Sequence, residues 1–110
     1  MLDEAGRREF RVESEKALRH LDQVLGDLEH DDLDVDLAGD VLTLAFRDGA
    51  KFIINAHSAA NQVWMAAGTT AWHFDFSPAL RSWVAAKTGD ELMGTIARVV
   101  GDKLGMEVEL

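Results

Sequence analysis

Phe10, Ala17, Leu18, Leu21, Val24, Leu25 and Leu28 recur at steps of three and four residues, which predicts an amphipathic helix over residues 7–29. The period then changes to two. Leu33, Val35 and Leu37 alternate with Asp32, Asp34 and Asp36, so a strand follows with one apolar and one carboxylate face, its aspartates all pointing the same way. Residues 41–46 and 51–55 predict two more strands, and the Asp48-Gly49 pair between them predicts a tight hairpin through the positive φ angles that it tolerates. Residues 62–66, 72–76 and 82–85 read as three further strands, separated by Gly68-Thr69-Thr70 and Ser77-Pro78. Links this short join antiparallel neighbours. Thr88-Gly89-Asp90-Glu91 reads as a capping box, with the Thr88 hydroxyl taking an orphan N–H and Glu91 reaching back to the cap. Leu92, Met93, Ile96, Val99, Val100 and Leu104 then mark a second amphipathic helix, closed at Gly105 by a left-handed cap. The tail, residues 106–110, alternates and is expected to pack back on the helices.

The order is helix, about six strands, helix, with no internal repeat or linker, so the chain reads as a single domain over 1–110. Each helix has only one apolar stripe to bury. The expected fold is therefore an α+β, two-layer sandwich, an antiparallel sheet with both helices on one face and the other face left to solvent or a partner. Strand parity puts Val63, Met65 and Ala67 on one face and Gln62, Trp64 and Ala66 on the other. If the first set meets the helices, Trp64 stands on the open face. A tryptophan in a strand is more often core, while an exposed one flanked by amides is an interface anchor.

Composition narrows the chemistry. No cysteine is present, which excludes disulfides, thiolate metal sites and thiol nucleophiles. Twenty acids against eleven bases give a net charge of −9, which opposes nucleic acid and anionic membrane surfaces and favours cations and basic protein surfaces. Arg7, Arg8, Arg11, Lys16 and Arg19 lie early; then Asp22, Asp27, Glu29, Asp31, Asp32, Asp34, Asp36 and Asp40 follow with no Lys or Arg until Arg47. The stretch between Phe52 and Phe74 has no formal charge but is too rich in amides and hydroxyls to span a membrane. The acidic start has neither the apolar core of a secretory signal nor the acid-poor character of a transit peptide, and a cytoplasmic protein is expected.

Clustered carboxylates are hard oxygen donors for Fe²⁺, Fe³⁺, Mn²⁺, Mg²⁺ or Ca²⁺. With no set of His or Cys at ligand spacing, the sequence specifies weak, multi-site, salt-sensitive binding at Asp27, Glu29, Asp31, Asp32, Asp34 and Asp36, joined by Glu15 and Asp22. Considered alone, such a run more often only solvates a surface. Of His20, His30, His57 and His73, His30 beside Asp31 and Asp32 is the one to test for iron. Met65, Met93 and Met106 read as packing. No nucleophile elbow surrounds Ser58 or Ser77, and no phosphate-cradling glycine loop occurs.

Phe46-Arg47-Asp48-Gly49-Ala50-Lys51-Phe52-Ile53-Ile54-Asn55 resembles the hairpin of the frataxin family, which ends in Ile-Asn. Gln62-Val63-Trp64-Met65 is similar to the family's signature strand, and Trp72-His73-Phe74-Asp75 with Trp83 to the aromatic pattern of its bacterial branch. The chain departs from the family in having no proline over residues 56–61, and Arg11, Lys16, Arg19, Gln23 and Gly26 where family members often carry acids. The resemblance implies iron bound at Asp31, Asp32, Asp34 and Asp36 and a docking surface of Asn55, Gln62 and Trp64. It further implies a cysteine desulfurase and an iron–sulfur scaffold protein as partners, with the acids meeting a basic patch on the desulfurase, and a monomer in the absence of iron. The activity implied is regulation of cluster assembly. A weak ferroxidase or iron-storage role at the same ridge is the alternative, ranked lower because the sequence has no dedicated redox centre.

Overall fold

The computed structural model describes residues 3–110; Met1 and Leu2, the start of the domain read over 1–110, lie outside them. The elements are α1 (Glu4–Asp27), β1 (Leu33–Ala38), β2 (Val41–Phe46), β3 (Lys51–His57), β4 (Gln62–Ala67), β5 (Thr70–Ser77), β6 (Ser82–Val84) and α2 (Leu92–Leu104). The strands form one antiparallel sheet in sequential order, as the short links require. No helix is long and apolar enough to cross a membrane among the described residues.

One face of the sheet carries the core. Leu42, Leu44, Ile54, Val63 and Phe74 are wholly buried there against Leu21 of α1 and Leu92, Ile96 and Val100 of α2, so both helices cover the same face. Phe10 meets Trp83 edge to face at 5.7 Å, which ties the start of α1 to the far strand β6. Thus the two-layer α+β architecture is as expected, and among the described residues nothing covers the opposite sheet face.

Boundaries differ where capping decides them. α1 begins at Glu4, ahead of its apolar stripe, because the Asp3 carboxylate accepts the Gly6 N–H at 2.8 Å. β3 and β5 extend beyond their apolar patterns, which brings His57 into a strand. The capping box at Thr88 does not form. Thr88 Oγ1 bonds Asp90 instead, and Glu91 is the N-cap of α2, accepting from Met93 N–H and Gly94 N–H at 2.9 Å each. In the β2–β3 hairpin only Gly49 of the Asp-Gly pair takes positive φ, at 93°, which makes a three-residue loop.

That hairpin is anchored to the C-terminal end of α2 by an ion pair between Lys103 Nζ and Asp48 Oδ2. The Lys103 hydrogen bond, with help from the Ala50 N–H, holds the Asp48 carboxyl below the usual carboxylate range. A carboxyl depressed in the folded state stabilises the fold above its unfolded-state pKa, and the contribution is lost as pH falls through the lower folded value. Stability should therefore drop below about pH 4. Lys103→Met is expected to flatten that acid limb in urea titrations, and an unaltered limb would show the pair to be idle.

The tail packs only in part as its alternation suggests, and the reading of Met106 as a packing residue is not met, because the chain seats only its last apolar positions. Val108 is buried and Leu110 half-buried, while Met106 stays exposed. Gly101 makes this approach feasible, since a Cβ there would lie 2.8 Å from the Met106 carbonyl oxygen.

Candidate metal ridge and docking face

The chain leaves α1 through Leu28 and turns at Glu29, whose φ of 48° is left-handed. His30 closes the turn: its Nδ1 accepts the Asp32 N–H at 3.0 Å and its carbonyl accepts the Leu33 N–H at 3.0 Å. His30 is thus a turn-forming residue with one ring nitrogen already occupied. Asp27, Glu29, Asp31 and Asp32 are exposed around this turn, and Asp34 and Asp36 project from the outer face of the edge strand β1. The fold accordingly collects six of the eight candidate acids at one corner.

The remaining two sit elsewhere on α1. Glu15 is paired with Arg19 at 2.7 Å, and Asp22 is half-buried about two turns further along the helix. Within the corner, Asp32 is also engaged, with its carboxylate 3.7 Å from the Arg47 guanidinium and its carbonyl accepting the Arg47 N–H at 3.0 Å. Among the described residues no three His, Asp or Glu side chains converge on a point that could hold a metal ion. The acids form a ridge of separated oxygen donors, which suits hydrated cations held by one or two carboxylates each. The end of α1 adds to this field, because its last turn has no basic residue to offset the negative pole of the helix.

On the open sheet face, β4 has the parity read from its sequence: Val63 and Met65 are buried, while Gln62 and Trp64 lie on the other side. Register places Asn55 opposite Trp64 on β3 and His73 opposite it on β5. Trp64 is half-buried rather than freely exposed, because imidazoles flank it. His57 stacks on the indole at 3.8 Å and His73 at 4.4 Å between ring centroids. Its Nε1–H donates to Gln62 Oε1 at 2.8 Å, and Gln62 Nε2 donates to Asp75 Oδ1 at 3.0 Å. Exposed Val41 and Ile53 and the small residues Ala66 and Ala71 extend this surface.

His57, His73 and Asp75 are the residues around Trp64 and Gln62 that sequence reasoning did not assign to this candidate face. The signal was present, since pairing 62–66 with 72–76 as a hairpin puts His73 across from Trp64. By contrast, Trp72 and Trp83 are buried on the helix side, and Trp72 Nε1 donates to Asp90 Oδ2 at 3.2 Å.

A family model described as a frataxin-like domain matches residues 3–106. The iron–sulfur cluster assembly protein CyaY of Thioalkalivibrio sulfidiphilus is 33% identical over 102 residues, covering 92% of this chain and 95% of its own length. The protein of the same name from Azotobacter vinelandii is 36% identical over 83 residues, 74% of this chain and 76% of its own. Among solved structures, frataxin from Psychromonas ingrahamii shares the fold with a TM-score of 0.84 at 24% identity, covering 94% of this chain and 95% of that one. Trimeric frataxin from the yeast Saccharomyces cerevisiae, in a ferrous complex, gives 0.74 at 26% identity over 84% and 86% of the two chains. A domain match spanning nearly the whole chain, together with relatives above 30% identity, leads to one conclusion: this chain belongs to the frataxin family, on its bacterial CyaY branch.

Proposed function

We propose that this chain is a cytoplasmic, iron-binding regulator of iron–sulfur cluster assembly, which docks on a cysteine desulfurase–scaffold complex and carries Fe²⁺ or Fe³⁺ weakly along the acidic ridge. The observation that carries the reading is the uncovered sheet face, where Trp64, Asn55 and Gln62 sit beside exposed Val41 and Ile53 while both helices cover the opposite face. An aromatic residue held among amides on an apolar surface is the usual form of an interface anchor. Support for the process comes from relatives named as iron–sulfur cluster assembly proteins, and for the cargo from a yeast structural neighbour in a ferrous complex. The net charge of −9 favours a basic partner surface.

The test is a desulfurase assay with scaffold present, run with and without the protein. A change in sulfide release together with co-purification supports the reading, whereas an unchanged rate with no complex rejects it. Iron-dependent oxygen uptake abolished with the ridge acids would favour the ferroxidase alternative instead.

For the ridge, Co²⁺ titration followed by NMR is expected to perturb residues 27–36 more than the sheet face, because exposed carboxylates concentrate there. Changing Asp31, Asp32, Asp34 and Asp36 together to Asn should weaken cation binding while leaving the melting temperature level or higher, since crowded like charges repel in the folded state. Uniform perturbation across the protein, or a large fall in melting temperature, would contradict the assignment.

A further inference from the structure

The indole of Trp64 is enclosed more fully than docking alone requires. His57 and His73 lie on neighbouring strands to either side of it, with planes only 19° and 14° from parallel, so both indole faces are covered. The ring's single donor is taken by Gln62, which Asp75 in turn orients. Side chains stand roughly perpendicular to a sheet, so what this stack offers to solvent is its ring edges. Trp64 and His57 are half-buried and His73 is exposed.

We propose that His57 and His73 are positioning residues of the docking face, clamping Trp64 edge-on so that the three-ring ridge receives an acceptor-bearing loop of the partner. The inference rests on the docking reading above. An aromatic ring carries negative charge on its faces and positive charge at its edge. The indole edge is positive, and His57, whose Nδ1 accepts the Ala60 N–H at 3.3 Å, carries its ring donor on Nε2, so the edge of the stack offers positive C–H and N–H groups in a protein of net charge −9. Asp75, the carboxylate bonded to this group, is directed at Gln62. Backbone carbonyls of a partner loop complement such an edge. An arginine or aromatic side chain finds neither indole face free. Clamping also removes the rotamer freedom that Trp64 would otherwise lose on association.

The experiment uses the full chain and reads two quantities, the near-UV circular dichroism of Trp64, isolated by difference from Trp64→Phe, and affinity for the desulfurase–scaffold complex. His73→Ala is expected to remove most of the Trp64 band and to weaken binding about tenfold, with His57→Ala acting in the same direction. His73→Phe, which restores a ring but not an imidazole, should recover both. A Trp64 band unaltered by His73→Ala, a lost band with unchanged affinity, or failure of His73→Phe to rescue overturns the positioning role. Ring-fluorinated tryptophan at position 64 makes the edge electronegative and should weaken binding; unchanged or tighter binding overturns the acceptor chemistry. If Trp64→Ala itself binds as tightly as the native chain, the docking reading fails and this proposal with it. If only His73→Ala binds normally, the positioning role fails alone.

Discussion

Trp64→Ala is expected to abolish the effect of the protein on a desulfurase–scaffold complex while leaving the protein folded. The two outcomes separate because the residue stands on the uncovered face, outside the layer that Leu42, Ile54, Val63 and Phe74 form under the helices. Truncating a central aromatic anchor costs a complex about 2 kcal/mol or more, a loss of roughly thirtyfold in affinity. The stability cost should be smaller. A fully buried Trp→Ala change costs roughly 3–5 kcal/mol, but Trp64 is only half-buried and its flanking imidazoles can take water in its place. About 1–2 kcal/mol is expected, more than for a free surface side chain because two stacked contacts and the Gln62 hydrogen bond are lost. Thermal melts and the desulfurase assay on the same preparation check both halves. Unfolding at room temperature would mean that Trp64 is structural and that the docking face lies elsewhere.

Removing residues 106–110 should lower the melting temperature by roughly 10 °C. Val108 is buried and Leu110 half-buried against the domain, and together they are worth about 2–4 kcal/mol of apolar burial at most. Gly101 supplies an independent check. Replacing a helical glycine by alanine ordinarily stabilises by about 1 kcal/mol. Here the new Cβ would fall 2.8 Å from the Met106 carbonyl oxygen, and that contact is backbone, which cannot swing aside as a side chain would. Gly101→Ala is therefore expected to destabilise the full chain and to stabilise the truncated one. The reversal of sign is the signature of a seated tail; a gain in both backgrounds, or an unchanged melt on truncation, would show it to be free.

Much of this architecture was legible in the residues because periodicity is local. A change from steps of three and four to a step of two marked the end of α1 and the start of β1, and the alternation in residues 62–66 placed Trp64 on the uncovered face. The carboxylate corner was equally legible, since Asp27 to Asp36 are near neighbours along the chain and a tight turn keeps them so. What the sequence could not determine were contacts between distant residues. Thr88 was available to cap α2, but it bonds the Asp90 carboxylate that Trp72, eighteen positions before Asp90, also engages, and Glu91 is the cap. The engagement of Asp32 is likewise tertiary, because Arg47 reaches it only through the β1–β2 pairing. So is the enclosure of Trp64: His73 pairs with it directly across β4–β5, whereas His57, opposite Gln62 on β3, reaches it on the diagonal, and only the formed sheet sets the three rings together. Short-range pattern follows from backbone geometry and the burial of a single stripe, which any segment of the chain carries with it. Partner choice among polar side chains depends on register and rotamers that exist only once the sheet has formed.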